Sequence, residues 1–386
     1  MRLSAWYYAV ILMLLFPALF SCGDNSKGGN TSTEQFYPPD ARGQYEVGVT
    51  TLYLVDQSRY ERWGNRFRTL PMEVWYPSNS GTGRTNHVSD MVGELPDTVW
   101  PLLETLYGDH LVEFWNTPTS AMRDVEIFAP QVPFPVIFFS HGLNGQRFQN
   151  YTLCEHLASH GFVIVAPDHY GNSIFVNLPE EELILTDPLS VLSTYTDRIE
   201  DVKFVYNELQ KMNGDSQGPW YSVLDLDRFA VSGHSYGGLT SILCGVQLDF
   251  VKAIAPMNPA WLGLLPQKVS KPLYMLQGDR DSFVNTMNGA TRRIWEEAIS
   301  LRKIFITMIN GEHYSPTDAC VLIPPTMTAL TKGCEPPNID FHLANQISNA
   351  YMTAFFKSSL LGDTRYDKYL KENHFQGYIE LITPWI

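Results

Sequence analysis

The strongest constraint on the fold is an alternation of two kinds of segment between Pro135 and Phe356. Short apolar runs recur at Pro135-Val136-Ile137-Phe138-Phe139, Phe162-Val163-Ile164-Val165-Ala166, Arg228-Phe229-Ala230-Val231-Ser232, Val251 to Ala255, Pro272 to Leu276 and Lys303 to Met308. Between them lie helix-like stretches: Asn150 to Ser159, the Ile199, Val202, Tyr206, Leu209 stripe, Leu239 to Gln247, and Ala290 to Ser300. Phe341 to Phe356 reads as a C-terminal helix. A strand that is apolar at successive residues must be covered on both faces, which only a mostly parallel sheet between helices provides. Right-handed crossovers then make the sheet doubly wound, so the fold class is α/β.

Upstream, Tyr45 to Leu54 and Arg68 to Tyr76 alternate apolar and polar residues and predict antiparallel strands. Two insertions are expected, at about 79–133 and 173–195. The first is read as helical, from the spacing of Val99, Leu102, Leu103 and Leu106 and then Leu111, Phe114 and Trp115. Its aromatics, from Trp100 to Trp115, are expected to wall or cover the site. The main domain is expected to run over 45–386.

The N-terminus is a targeting segment, not part of the fold. Arg2 precedes an apolar run from Trp6 to Phe20, too short for the ~20 residues a membrane span needs. The run ends Leu19-Phe20-Ser21-Cys22, like a bacterial lipoprotein signal over 1–21 with acylation at Cys22. A flexible linker is expected over 22–44, since Gly, Ser, Asn and Thr dominate its start. The chain is then expected to be exported and anchored to a membrane through its N-terminal lipid. A net charge of -14 argues against nucleic acid as a partner. Export permits disulfides. Cys320 and Cys334 flank a Pro-rich loop and are the expected pair, while Cys154 and Cys244 sit in apolar helical segments as buried thiols. No metal-ligand spacing of Cys and His occurs. The oligomeric state is left open.

Gly233-His234-Ser235-Tyr236-Gly237 is G-x-S-x-G between a predicted strand and a predicted helix. That context puts Ser235 on a tight turn with its hydroxyl projecting, the geometry of a nucleophile. A serine nucleophile needs a base and an acid that orients it, in chain order Ser, Asp or Glu, His. His313 follows the last clear strand and is the base candidate. In Gly278-Asp279-Arg280-Asp281 either carboxylate can serve as the acid, with Asp281 preferred. The oxyanion needs two N–H donors, expected from Tyr236 and from Leu143 after the first buried strand. Trp261 and His141 are expected to line the substrate.

Three segments, Phe138-Phe139-Ser140-His141-Gly142-Leu143, Leu157-Ala158-Ser159-His160-Gly161-Phe162 and Gly233-His234-Ser235-Tyr236-Gly237-Gly238, resemble the platelet-activating-factor acetylhydrolases. More broadly they resemble the dienelactone-hydrolase-like α/β-hydrolases, from about Val47 to Phe356. The resemblance implies an α/β-hydrolase fold and a Ser–His–Asp esterase that needs no metal or other cofactor. Its substrate would be a short-acyl or lipid-like carboxylic ester. In the acetylhydrolases the acid follows the strand after the nucleophile helix. Here that place reads Ala255-Pro256-Met257-Asn258-Pro259, without a carboxylate. An acid on the next strand, and Gly311-Glu312-His313-Tyr314-Ser315-Pro316, resemble the cutinase-like polyester hydrolases instead. Polyester hydrolysis, or a non-catalytic surface binding role on the same fold, are the alternatives.

Overall fold

The computed structural model of the chain describes residues 35–61, 66–179, 182–185, 195–260, 268–284, 288–323, 327 and 331–385. Cys22, the signal segment and Trp261 lie outside the described residues. Thirteen strands occur among those described: β1 (Glu46–Glu61), β2 (Arg66–Ser78), β3 (Arg84–His87), β4 (Pro118–Arg123), β5 (Phe134–Ser140), β6 (Val163–Pro167), β7 (Phe175–Leu178), β8 (Glu182–Leu185), β9 (Leu224–His234), β10 (Val251–Met257), β11 (Leu273–Gly278), β12 (Lys303–Met308) and β13 (Ile379–Ile382). Eleven form one sheet in the order β13-β12-β11-β10-β9-β5-β6-β2-β1-β4-β3. The run from β12 to β6 is parallel, β2 is antiparallel to both β6 and β1, and β13 is antiparallel to β12.

Side chains of the central strands enter two cores alternately, as a period of two requires. In β5, Ile137 and Phe139 pack on one face with helices Tyr151–Ser159 and Phe341–Leu361. Val136 and Phe138 pack on the other with helices Tyr195–Gly214, Tyr236–Gln247 and Asn288–Glu297. The sheet is therefore covered on both sides. Chain order steps from β5 to β6 on one side and returns to β9 on the other. The switch point between β5 and β9 opens a crevice at their carboxyl ends, where such sheets bind ligands.

Three features depart from the sequence reading. The first insertion is not only helical: β3 and β4 extend the sheet, with β4 parallel to β1. Both strands are short and polar, so no alternation marks them. The second insertion carries a β7–β8 hairpin. The linker expected over 22–44 is also too long. Tyr37 onward belongs to the same compact unit as the sheet. His156 Nε2 binds Pro39 O at 2.9 Å, His160 Nε2 binds Ala41 O at 2.8 Å, and the Gly43 N–H donates to Ser159 Oγ at 2.9 Å. Backbone carbonyls, which composition does not reveal, hold this segment down.

Cys320 and Cys334 are joined by a disulfide, and Cys154 and Cys244 are buried thiols. Among the described residues, no helix is long and apolar enough to cross a membrane.

Candidate active site

β9 ends at His234, and the next helix begins at Tyr236. Ser235 sits between them at φ 55° and ψ -116°, a backbone state that costs a non-glycine residue of the order of 1–3 kcal/mol. The turn is held by Ser235 N donating to Met257 O (2.9 Å), and by Leu239 N and Ala260 N donating to Ser235 O. It closes tightly because its glycines let it: a Cβ on Gly237 would fall 1.8 Å from Ser140 O, and one on Gly233 2.5 Å from the same atom. Ser235 is 9% exposed.

β11 and β12 are parallel neighbours, with Gly278 opposite Met308. Their following loops therefore meet above the same end of the sheet. His313 Nδ1 lies 2.8 Å from Asp281 Oδ2, and both side chains are buried. Asp281 Oδ1 accepts the N–H groups of Phe283 and Val284, so the carboxylate is held by its own turn. Of the two aspartates, Asp281 faces the histidine and Asp279 is exposed. With Nδ1–H donated to the acid, Nε2 carries the lone pair that a general base needs.

Two residues the sequence reading did not assign brace this base. Asn258 stands directly after β10, in the stretch that carries no carboxylate. Its Nδ2 donates to His313 O at 2.7 Å, and its Oδ1 accepts the Gly278 N–H at 2.8 Å. The amide thus ties the β11 end to the histidine loop in place of supplying charge. His234 Nε2 also meets His313 O, at 2.7 Å, and the two rings lie 4.6 Å apart. The Nδ1 of His234 accepts from Gln149 Nε2 (2.9 Å), while Gln149 Oε1 accepts the Gly142 N–H (2.9 Å). One side chain therefore links the turn after β5 to the nucleophile turn and on to the base. Burial, with His313 next to it, lowers the His234 pKa far below its ordinary value and keeps the ring neutral.

The Gly142 N–H is spent on Gln149, whereas the Leu143 N–H meets no protein acceptor among the described residues. Tyr236, the other expected donor, is the first residue of the nucleophile helix. His141, expected on the substrate side, is instead fully buried. Its Nδ1 meets Gly142 O (2.6 Å), and its Nε2 accepts from the His169 N–H and the Ser173 hydroxyl. Its place in the tight turn after β5 turns the ring inward. Phe283, missed in the sequence, is half exposed and lies 5.2 Å from the His313 ring, on the solvent side of the base. The first insertion reaches the histidine loop through Tyr107, whose hydroxyl donates to Leu322 O at 2.8 Å.

Among the described residues, no group of three or more His, Cys, Asp or Glu side chains is placed to hold a metal ion.

Residues 30–182 match the family of platelet-activating factor acetylhydrolase, isoform II, and residues 184–333 match the PET hydrolase-like family. The chain is 27% identical to a platelet-activating factor acetylhydrolase of Cavia porcellus over 55% of each chain. It is 22% identical to cutinase 1 of Thermobifida cellulosilytica, over 61% of this chain and 72% of that one. The matches span only 55% and 62% of the length of two mammalian acetylhydrolases. A solved ferulic acid esterase from Streptomyces cinnamoneus shares the fold, with a TM-score of 0.67 and 24% identity over 83% of this chain and 91% of that one. The doubly wound sheet and the strained serine turn, with these matches, show an α/β-hydrolase fold, similar over residues 30–182 to the platelet-activating factor acetylhydrolase, isoform II family and over residues 184–333 to the PET hydrolase-like family.

Proposed function

We propose that the chain is a serine carboxylic-ester hydrolase acting on a short-acyl or lipid-like ester. The observations that carry the reading are the 2.8 Å contact of His313 Nδ1 with buried Asp281 and the strained strand-to-helix turn that holds Ser235. In the mechanism, Ser235 Oγ attacks the ester carbonyl as His313 Nε2 takes its proton. Asp281 holds the imidazole in the tautomer that leaves Nε2 free and stabilises the imidazolium that forms. The Leu143 and Tyr236 amides bind the oxyanion. His313 then protonates the leaving alcohol, and water, deprotonated by the same nitrogen, releases the acid from the acyl-serine. No cofactor enters these steps.

The likeness of residues 30–182 to acetylhydrolases supports a short acyl group on a lipid-like alcohol. A second reading, polyester hydrolysis, is favoured by the match of residues 184–333 and by the acid standing after β11, not after β10. Turnover of p-nitrophenyl esters of increasing acyl length, beside an acetyl-phospholipid and a polyester film, separates the two. The first reading expects a steep fall beyond short acyl chains and release of acetate from the phospholipid. Release of soluble fragments from the film without phospholipid turnover supports the second. Folded protein that cleaves none of these, and that a fluorophosphonate does not label, is a non-catalytic binding protein.

The same proposal includes export and membrane anchoring by acylation of Cys22, supported by the apolar run and the Ser21-Cys22 junction. Incorporation of labelled palmitate that persists in Cys22→Ser would refute it.

A further inference from the structure

Arg198 stands in the first turn of helix Tyr195–Gly214 and is wholly buried. A buried guanidinium is costly unless its donors are used and its charge has a purpose. Arg198 Nε donates to Asn172 Oδ1 (2.7 Å), Nη1 to Ser140 Oγ (3.0 Å) and His141 O (2.5 Å), and Nη2 to Gly142 O (3.3 Å). Among the described residues, every oxygen it binds is neutral. The carboxylate nearby, Asp201, is held by Arg68 through both oxygens at 2.7 Å and by Arg59 at 2.8 Å. Burial lowers the Arg198 pKa to about 9, so at neutral pH it still carries its charge.

That charge stands behind the proposed oxyanion site. The Gly142 carbonyl shares a peptide with the Leu143 N–H. It accepts from Arg198, from His141 Nδ1–H (2.6 Å) and from the Gly145 N–H (3.1 Å). Donors on a carbonyl polarise its peptide and strengthen the N–H at the other end. The guanidinium carbon also lies 4.7 Å from the ring centroid of Tyr236, the residue offering the second amide. Ser140, whose hydroxyl Arg198 binds, is the last residue of β5 and pairs with Gly233 of the nucleophile turn.

The geometry points to Arg198 as a positioning residue for oxyanion stabilisation: it fixes the Gly142–Leu143 peptide and puts a permanent positive charge behind the Leu143 amide. The inference rests on the reading of Ser235 as nucleophile with Leu143 and Tyr236 as donors. It assigns Arg198 a share of transition-state binding and none of substrate binding. A side chain that merely filled space would affect stability, and kcat only through unfolding.

The test is the kinetics of Arg198→Gln and Arg198→Lys with p-nitrophenyl butyrate. It is paired with the inhibition constant of a trifluoromethyl ketone, which forms a tetrahedral oxyanion adduct on an active serine. Removal of a direct oxyanion donor costs about 10²–10³-fold in kcat. A group acting through the peptide should cost about 10- to 100-fold in Arg198→Gln, with KM within about twofold and a parallel weakening of the ketone. Arg198→Lys keeps the charge but not the planar fork, so it should lie between wild type and Arg198→Gln. If Arg198→Gln fails to fold, Arg198→Lys alone decides: kcat reduced at constant KM supports the role, and unchanged kcat with unchanged ketone affinity overturns it. Folded Arg198→Gln with wild-type kcat, or with KM raised and ketone affinity unmoved, also overturns it. A wild-type enzyme that the ketone does not inhibit, or that works without Ser235, instead brings down the parent reading of the site and this inference with it.

Discussion

The ring of His234 donates to the backbone carbonyl of His313 across 2.7 Å, so the residue before the nucleophile holds the backbone of the base. His234→Phe keeps a ring of similar size but offers no N–H to His313 and no lone pair to Gln149. Misplacement of the base by a fraction of an ångström should lower kcat roughly 10- to 100-fold while KM moves little. Steady-state kinetics on a folded variant check this. A variant as fast as wild type would show that Asn258 alone suffices to hold the loop.

Asp281→Asn should fold normally and lose turnover by something like the ~10⁴-fold known for this change in a serine protease triad, because the imidazole is held in the wrong tautomer. Asp279→Asn, at an exposed position, should stay close to wild type. Parallel kcat measurements and rates of phosphonate labelling distinguish them. If Asp279→Asn proves the dead variant, the acid has been misassigned.

The Cys320–Cys334 bridge closes a loop of sequence separation 14 just after His313, next to the Tyr107–Leu322 contact. Loop-closure entropy assigns such a crosslink about 3 kcal/mol. Replacing both cysteines by serine should lower unfolding free energy by up to that amount in denaturant titrations. An unchanged denaturation midpoint would contradict it.

His156 and His160 anchor the 39–41 segment, and burial drives their pKa values down, to about 4 and about 3. The unfolded chain has ordinary histidines near ~6.5, so between about pH 6.5 and 4 it binds more protons than the folded state. The stability these rings contribute is present above that range and is lost as pH falls through it. His160→Gln keeps a side-chain N–H donor but does not titrate. Its stability should fall less steeply with acid, by up to about 1.4 kcal/mol per pH unit. Equal slopes for wild type and variant in denaturant titrations over this range would refute the assignment.

The central sheet was legible because β5, β6 and the middle of β9 and β10 are buried on both faces and carry continuous apolar runs. β3, β4 and the β7–β8 hairpin were not, because short or edge strands carry no such requirement. Ser235, Asp281 and His313 could be located because each follows a strand end, where chemistry in this fold class is placed. The bracing groups could not. Asn258 and Arg198 act on backbone carbonyls 55 and 57 residues away, Gln149 reaches His234 across 85 residues, and no spacing rule encodes such partners. His141 misled for the same reason: a histidine beside an oxyanion turn can face outward or inward, and here the N–H of His169 and the hydroxyl of Ser173 draw it inward.

The acyl-enzyme is the most direct test of the account. Wild-type protein mixed with p-nitrophenyl butyrate, quenched in acid within the first turnovers and digested, should yield the peptide containing Ser235 with the mass of one butyryl group. Ser235→Ala should show neither the adduct nor turnover. An adduct on any other residue, turnover without an acylated serine, or hydrolysis that survives in Ser235→Ala would contradict the mechanism.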